Sequence, residues 1–268
     1  MLGFAETLGA TLGSFLLPAF AGLLIVSAAA HYLKSRYLAA FAVGLYLWFF
    51  SDTIGDASFL GVNQGFAGGA AHLALWVTFA IGLLAVLSFD RNMFAEGHKG
   101  EVLGFGIPLL MAVAIGVHGF GEGAAVGATA AATDSTNLLE AFGGLSAASS
   151  FIIHKVIEPV MIGATYWVYA RDHATNVTGR LKDFSVLTLA FSLPGIIGAA
   201  TFYYVVQAIS GIDLTYAFAL GLGTSIYAAL RLARPLFQGS GSNSESVRTA
   251  FLILLGFACL YLAASLHA

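Results

Sequence analysis

Four side chains stand out by type and spacing: His118 with Glu122, and His154 with Glu158. Each imidazole precedes its carboxylate by four residues, and helix positions i and i+4 lie on one face. Both pairs fall near the middle of long apolar runs, where an ionisable group is costly and reads as a functional site by default. Two such helices side by side bring two nitrogens and two oxygens together. That set suits a divalent transition metal, since zinc, ferrous iron, manganese and cobalt all accept imidazole and carboxylate ligands. Neutral nitrogen and anionic oxygen replace the water that an ion sheds at this depth. A single buried His or Glu is as readily a hydrogen-bonded packing residue. Four at matched spacing and depth make packing alone a poor account.

Other residues bear on the same chemistry. Lys155 stands inside the second pair. An unpaired ammonium at the bilayer centre costs about 2.5–3.5 kcal/mol, so Lys155 is expected to face Glu122 or Glu158. In an earlier apolar segment Ser51, Asp52 and Asp56 are accessory candidates. The two acids are again four apart and suit a further ligand, a partner for Lys155 or a path for cations. Gly119, Gly123 and Gly127 form a small-residue ridge that lets helices approach closely. Pro159, directly after Glu158, removes a backbone N–H, so a kink and a freed carbonyl are expected there. His72 reads as interfacial, and His31, His98, Asp172 and His173 read as loop residues facing solvent. The Asn176-Val-Thr178 acceptor pattern falls on the cytoplasmic side and is expected to stay unmodified.

The elements that must hold these groups are membrane helices. The chain is 59% hydrophobic and 9% charged, with a mean hydropathy of +0.87, whereas a soluble domain carries roughly 25% charged residues. Eight apolar segments, 11–33, 37–60, 70–89, 102–132, 138–170, 184–209, 213–232 and 248–266, reach or approach the ~20 residues that cross the hydrocarbon. They show no period-2 alternation, which sets aside a closed barrel. The expected fold is all-α: one transmembrane domain over 1–268, with eight helices. Ten of the eleven basic residues, Lys34, Arg36, Arg91, Lys99, Arg171, Arg180, Lys182, Arg231, Arg234 and Arg248, fall in the odd-numbered connections. The positive-inside rule then puts both termini outside the cytoplasm. The single cysteine, Cys259, excludes an intramolecular disulfide. The first segment lacks a basic start and a clear small-residue cleavage site, so no cleaved leader is expected. The expected partners are the lipid bilayer and metal ions, not nucleic acid. A homodimer is left open, and the expected location is a cell membrane, that of a prokaryote first.

Together the motifs and spans resemble the ZIP (Zrt/Irt-like) family of divalent metal transporters. Its fourth-helix pattern, His-Asn-x-x-Glu-Gly, is matched except at the Asn position by His118-Gly119-Phe120-Gly121-Glu122-Gly123. Its fifth-helix pattern, His or Gln followed by an amide or acid, two residues and Glu, is matched in part by His154-Lys155-Val156-Ile157-Glu158. The resemblance covers the whole chain and implies a ZIP-like bundle. It also implies movement of a divalent metal toward the cytoplasm by alternating access of a helix group carrying the site. Zinc is the first expectation, with iron, manganese, cobalt and cadmium as alternatives. The ion is substrate, and no catalytic or cofactor residue is expected. The resemblance assigns His118, Glu122, His154 and Glu158 to a first metal site. Where many members have a second, this chain has Gly119, Lys155 and, before Pro194, Leu193. A mononuclear site follows, with the charge of Lys155 standing in for the second ion. The connection between the third and fourth segments, often long and His-rich in the family, is short and holds only His98.

Two alternatives compete. In an intramembrane metal-dependent hydrolase, Glu122 or Glu158 would be the general base, but a catalytic metal usually keeps an open position. In a ZIP-like protein with little transport, Lys155 would occupy the site itself. A retinal photoreceptor built on Lys155 is disfavoured, because that fold is expected to carry its lysine in the last helix.

Overall fold

The structure is a computed structural model, and it describes residues 3–63, 70–89, 105–132, 137–171, 173–208, 215–237 and 243–264. Among the described residues there is helix and no strand. In chain order the helices are α1 (Phe4–Ala29), α2 (Ser35–Asn63), α3 (Ala70–Phe89), α4 (Gly106–Ala132), α5 (Leu138–Ala141), α6 (Leu145–Ile157), α7 (Pro159–Thr165), α8 (Val177–Ala208), α9 (Thr215–Phe237) and α10 (Asn243–Ala264). A π-helical turn, Tyr166–Ala170, continues α7. Five stretches among the described residues are long and apolar enough to cross a membrane: Phe4–Ala29, Gly106–Ala131, Leu145–Ala170, Val177–Val205 and Ser244–Ala263. Large apolar side chains such as Leu17, Trp76, Leu84, Leu254 and Leu262 face outward. In water such a surface would drive association; in lipid it is the required one.

Local chemistry explains where helices begin and break. At the start of α1 the Gly3 N–H donates to Glu6 Oε2 at 3.0 Å, pairing one unsatisfied donor and placing negative charge at the positive helix end. The expected continuous fifth segment, 138–170, is instead divided. Gly143 and Gly144 take φ of 85° and 100°, a left-handed conformation that glycine adopts without penalty, so α5 stops and α6 starts afresh at Leu145. At Pro159 the chain stays helical: Glu158 keeps φ −55° and ψ −43°, and its N–H donates to the His154 carbonyl at 2.8 Å. Proline supplies no N–H, so the Lys155 carbonyl receives no bond from it.

Helices pair through glycine. A Cβ added at Gly123 or Gly127 of α4 would run into the carbonyls of Gly195 and Ala199 on α8, and one at Gly198 into the Phe120 carbonyl. The same reciprocal arrangement joins α2 to α10, through Gly44 at the Ile253 carbonyl and Gly256 at the Phe41 carbonyl. It also joins α3 to α9, through Gly82 at the Leu220 carbonyl and Gly223 at the Phe79 carbonyl. The most extensive contact of α4 is therefore with α8, and α7 touches it over a shorter stretch. Two helix groups result: α1, α4, α6, α7 and α8 pack on one another, as do α2, α3, α9 and α10, and α4 meets α9 between them.

Among the described residues, Lys34, Arg36 and Arg231 lie toward one end of the bundle. Lys34 and Arg36 lie 3.5 and 3.9 Å from Glu245 at the start of α10, and Tyr169 Oη donates to the Arg231 carbonyl at 2.8 Å. Arg231, counted above among the residues of the connections, does not lie in one. It belongs to α9 and is buried, its guanidinium 5.7 Å from the Tyr227 ring. Phe4 at the other end packs on Tyr203 and Tyr204 of α8.

Candidate metal centre

The midpoint of the Gly106–Ala131 span falls between His118 and Gly119, and that of Leu145–Ala170 between Ile157 and Glu158. Both motifs therefore sit at middle depth, and α7 brings Glu158 against α4. His118, Glu122 and Glu158 each offer a ligand atom, and these atoms lie within 4.8 Å of one another. His118 Nε2 is 3.9 Å from Glu122 Oε1. The imidazole is wedged between Phe49 of α2, at 4.7 Å between centroids, and Phe218 of α9, at 5.6 Å. Its backbone rests on Gly221, where any side chain would overlap it. His154 is half-buried one turn before Glu158 and is not part of the three-residue cluster.

Lys155 fills the other side of the carboxylates. Its ammonium is 2.5 Å from Glu122 Oε2 and donates to Glu158 Oε2 at 2.7 Å. The side chain is fully buried. Three rings from three helices surround the ammonium: Phe15 of α1 at 5.2 Å, Phe151 of α6 at 5.6 Å and Phe191 of α8 at 5.3 Å. Such distances allow the π faces to attract the cation. Glu122 is thus split between two neighbours, Oε1 toward His118 and Oε2 toward Lys155.

Gly119, read above both in the packing ridge and at a second-site position, faces the site: a Cβ there would sit 3.3 Å from the Phe15 ring, 3.5 Å from Glu122 Oε2 and 4.0 Å from Lys155 Nζ. Leu193, at the position matched to a family ligand, is half-exposed on the outer side of α8. Among the accessory candidates, Ser51 is exposed and donates to the Leu47 carbonyl at 2.9 Å. Asp52 and Asp56 belong to α2, and their side chains lie outside the described residues. The side chain of His72, and all of His98 and Asp172, lie outside them as well. The aromatic enclosure was missed from sequence, because Phe15, Phe151 and Phe191 share no spacing. The nearest signal was Gly195, whose missing side chain makes room for the Phe15 ring.

A second polar cluster lies at the end where α4 starts and the π turn finishes. The Tyr166 hydroxyl donates to Asp183 Oδ2 at 2.8 Å, and His173 Nδ1 is 3.2 Å from the same oxygen. His173 stacks on Phe105 with centroids 5.1 Å apart. Asp183 is buried, so these donors supply what water cannot.

Comparison with known protein families and with curated proteins gives no match to this chain.

Proposed function

We propose that this chain is a divalent transition-metal transporter, a single-site relative of the ZIP family. One ion is held by His118, Glu122 and Glu158 with His154 beside them, and it moves toward the cytoplasm by alternating access. The observation that carries this proposal is the convergence of those three ligands within 4.8 Å at the middle depth of two apolar spans. Zinc is the first candidate by ligand type. Eight spans with both termini outside, in a prokaryotic plasma membrane, complete the proposal. It is supported by Lys34, Arg36 and Arg231 lying toward one end of the bundle and by the ligands lying in one helix group that packs against another.

Lys155 supports a mononuclear site. Its ammonium lies on Glu122 Oε2, while Oε1 is the oxygen near His118, and on Glu158 Oε2, where a second ion would otherwise be needed to neutralise two carboxylates. The same contact favours a second reading, in which Lys155 holds both carboxylates too firmly for an ion to bind. Metal analysis and proteoliposome uptake separate the two. Purified wild type is expected to carry about one zinc, to take it up without hydrolysing anything, and to lose it in His118→Ala/Glu158→Ala. Bound metal without uptake favours a metal-dependent enzyme or sensor. Equal, negligible metal in both proteins removes the transporter.

A further inference from the structure

We infer, resting on that transport reading, that Lys155 is the resident counter-charge that lets the empty site cross the membrane, so that the protein supports net uptake beyond metal-for-metal exchange. The ammonium sits on α6, its two carboxylates on α4 and at the α6–α7 junction, and its rings on α1, α6 and α8. All of them belong to the helix group that carries the ligands, so the ammonium travels wherever they travel.

The charges decide what that does. With neutral imidazoles, as ligation requires, two carboxylates and one ammonium sum to −1 when empty and +1 with a divalent ion. Without the ammonium the same states are −2 and 0. The cost of carrying a charged cluster through a low-dielectric interior grows with the square of its charge. Lys155 therefore gives the loaded and empty sites equal costs. Without it the loaded site crosses at almost no electrostatic cost, while the empty one faces about four times the cost it has now. A transporter stranded in that way still swaps metal for metal, because it never has to return empty. Net uptake stops.

The test compares two zinc fluxes in proteoliposomes: uptake into metal-free vesicles and isotope exchange into vesicles preloaded with zinc. Wild type is expected to show both. Lys155→Met is expected to lose at least about tenfold of its net uptake relative to its own exchange, which also reports that it is folded. Lys155→Arg, which keeps the charge, is expected to restore the ratio. Exchange should respond to an imposed potential in wild type, whose loaded site is charged, and not in Lys155→Met. An unchanged ratio in Lys155→Met overturns the inference. So does an equal defect in Lys155→Arg, or loss of both fluxes in Lys155→Met alone. If wild type itself shows neither flux, the transport proposal fails and takes the inference with it.

Discussion

Lys155→Met should be among the most damaging single changes in the metal-free protein, and a double-mutant cycle with Glu158→Gln should reveal why. At 2.5 and 2.7 Å from its two carboxylates, the ammonium gains about 6 kcal/mol from each at an effective dielectric of 20. Most of that offsets the several kcal/mol needed to desolvate each ion. Removing Lys155 leaves Glu122 and Glu158 with ligand atoms within 4.8 Å, repelling by about 3.5 kcal/mol at the same dielectric. Lys155→Met should therefore cost about 3–5 kcal/mol. Glu158→Gln leaves the ammonium paired with Glu122 and should cost about half as much. On the Glu158→Gln background the second substitution removes only one pair and creates no repulsion. The coupling should reach about 2 kcal/mol. Detergent-denaturation curves with chelator present measure all four proteins. Strict additivity would refute the bridging role of Lys155, as would wild-type stability in Lys155→Met. Adding zinc should recover more stability in Lys155→Met than in wild type, because the ion then replaces the missing cation.

Three further outcomes follow from other contacts. Lys155→Asp should bind zinc more tightly than wild type by titration calorimetry, since it exchanges a competing cation for a possible ligand; unchanged or weaker binding counts against the stand-in role. Gly123→Leu should force α4 from α8, where even a Cβ meets the Gly195 carbonyl, and cost upward of about 1–3 kcal/mol. The same change at Gly9, which has open space beside it, should be nearly neutral, and equal effects in a thermal assay would discredit the glycine contact. Asp183→Asn leaves Tyr166 and His173 with a weaker acceptor and should cost about 1–3 kcal/mol. Faster hydrogen exchange confined to the start of α8 and the π turn would show it, and global destabilisation without local change would not fit.

The helical class and middle depth of the motifs were legible because lipid imposes its demands on composition directly. Partners were less so. Sequence adjacency made the fourth and fifth segments neighbours, and they do touch at the site. The ridge of α4, however, went to α8, because Gly195, Gly198 and Ala199 present matching small residues there. The break at Gly143–Gly144 escaped notice in a chain with 32 glycines, most of which leave no mark on local pattern. Lys155 was expected to face carboxylates, with Glu158 or Glu122 named for it, and it meets both; its position inside the second motif made that legible. Three phenylalanines from three separate helices were beyond any single-sequence pattern.

The glycine-to-carbonyl crossings also constrain how the bundle can deform. Each opposes backbone to backbone, so no rotamer change can absorb a shift, and α2 with α10, α3 with α9, and α4 with α8 act as stiff struts. The seam between α4 and α9 at His118 has the same character, since the His118 backbone rests on Gly221 between the rings of Phe49 and Phe218. The histidine thus sits where two rigid pieces bear directly on one another, well placed to feel any sliding of one past the other.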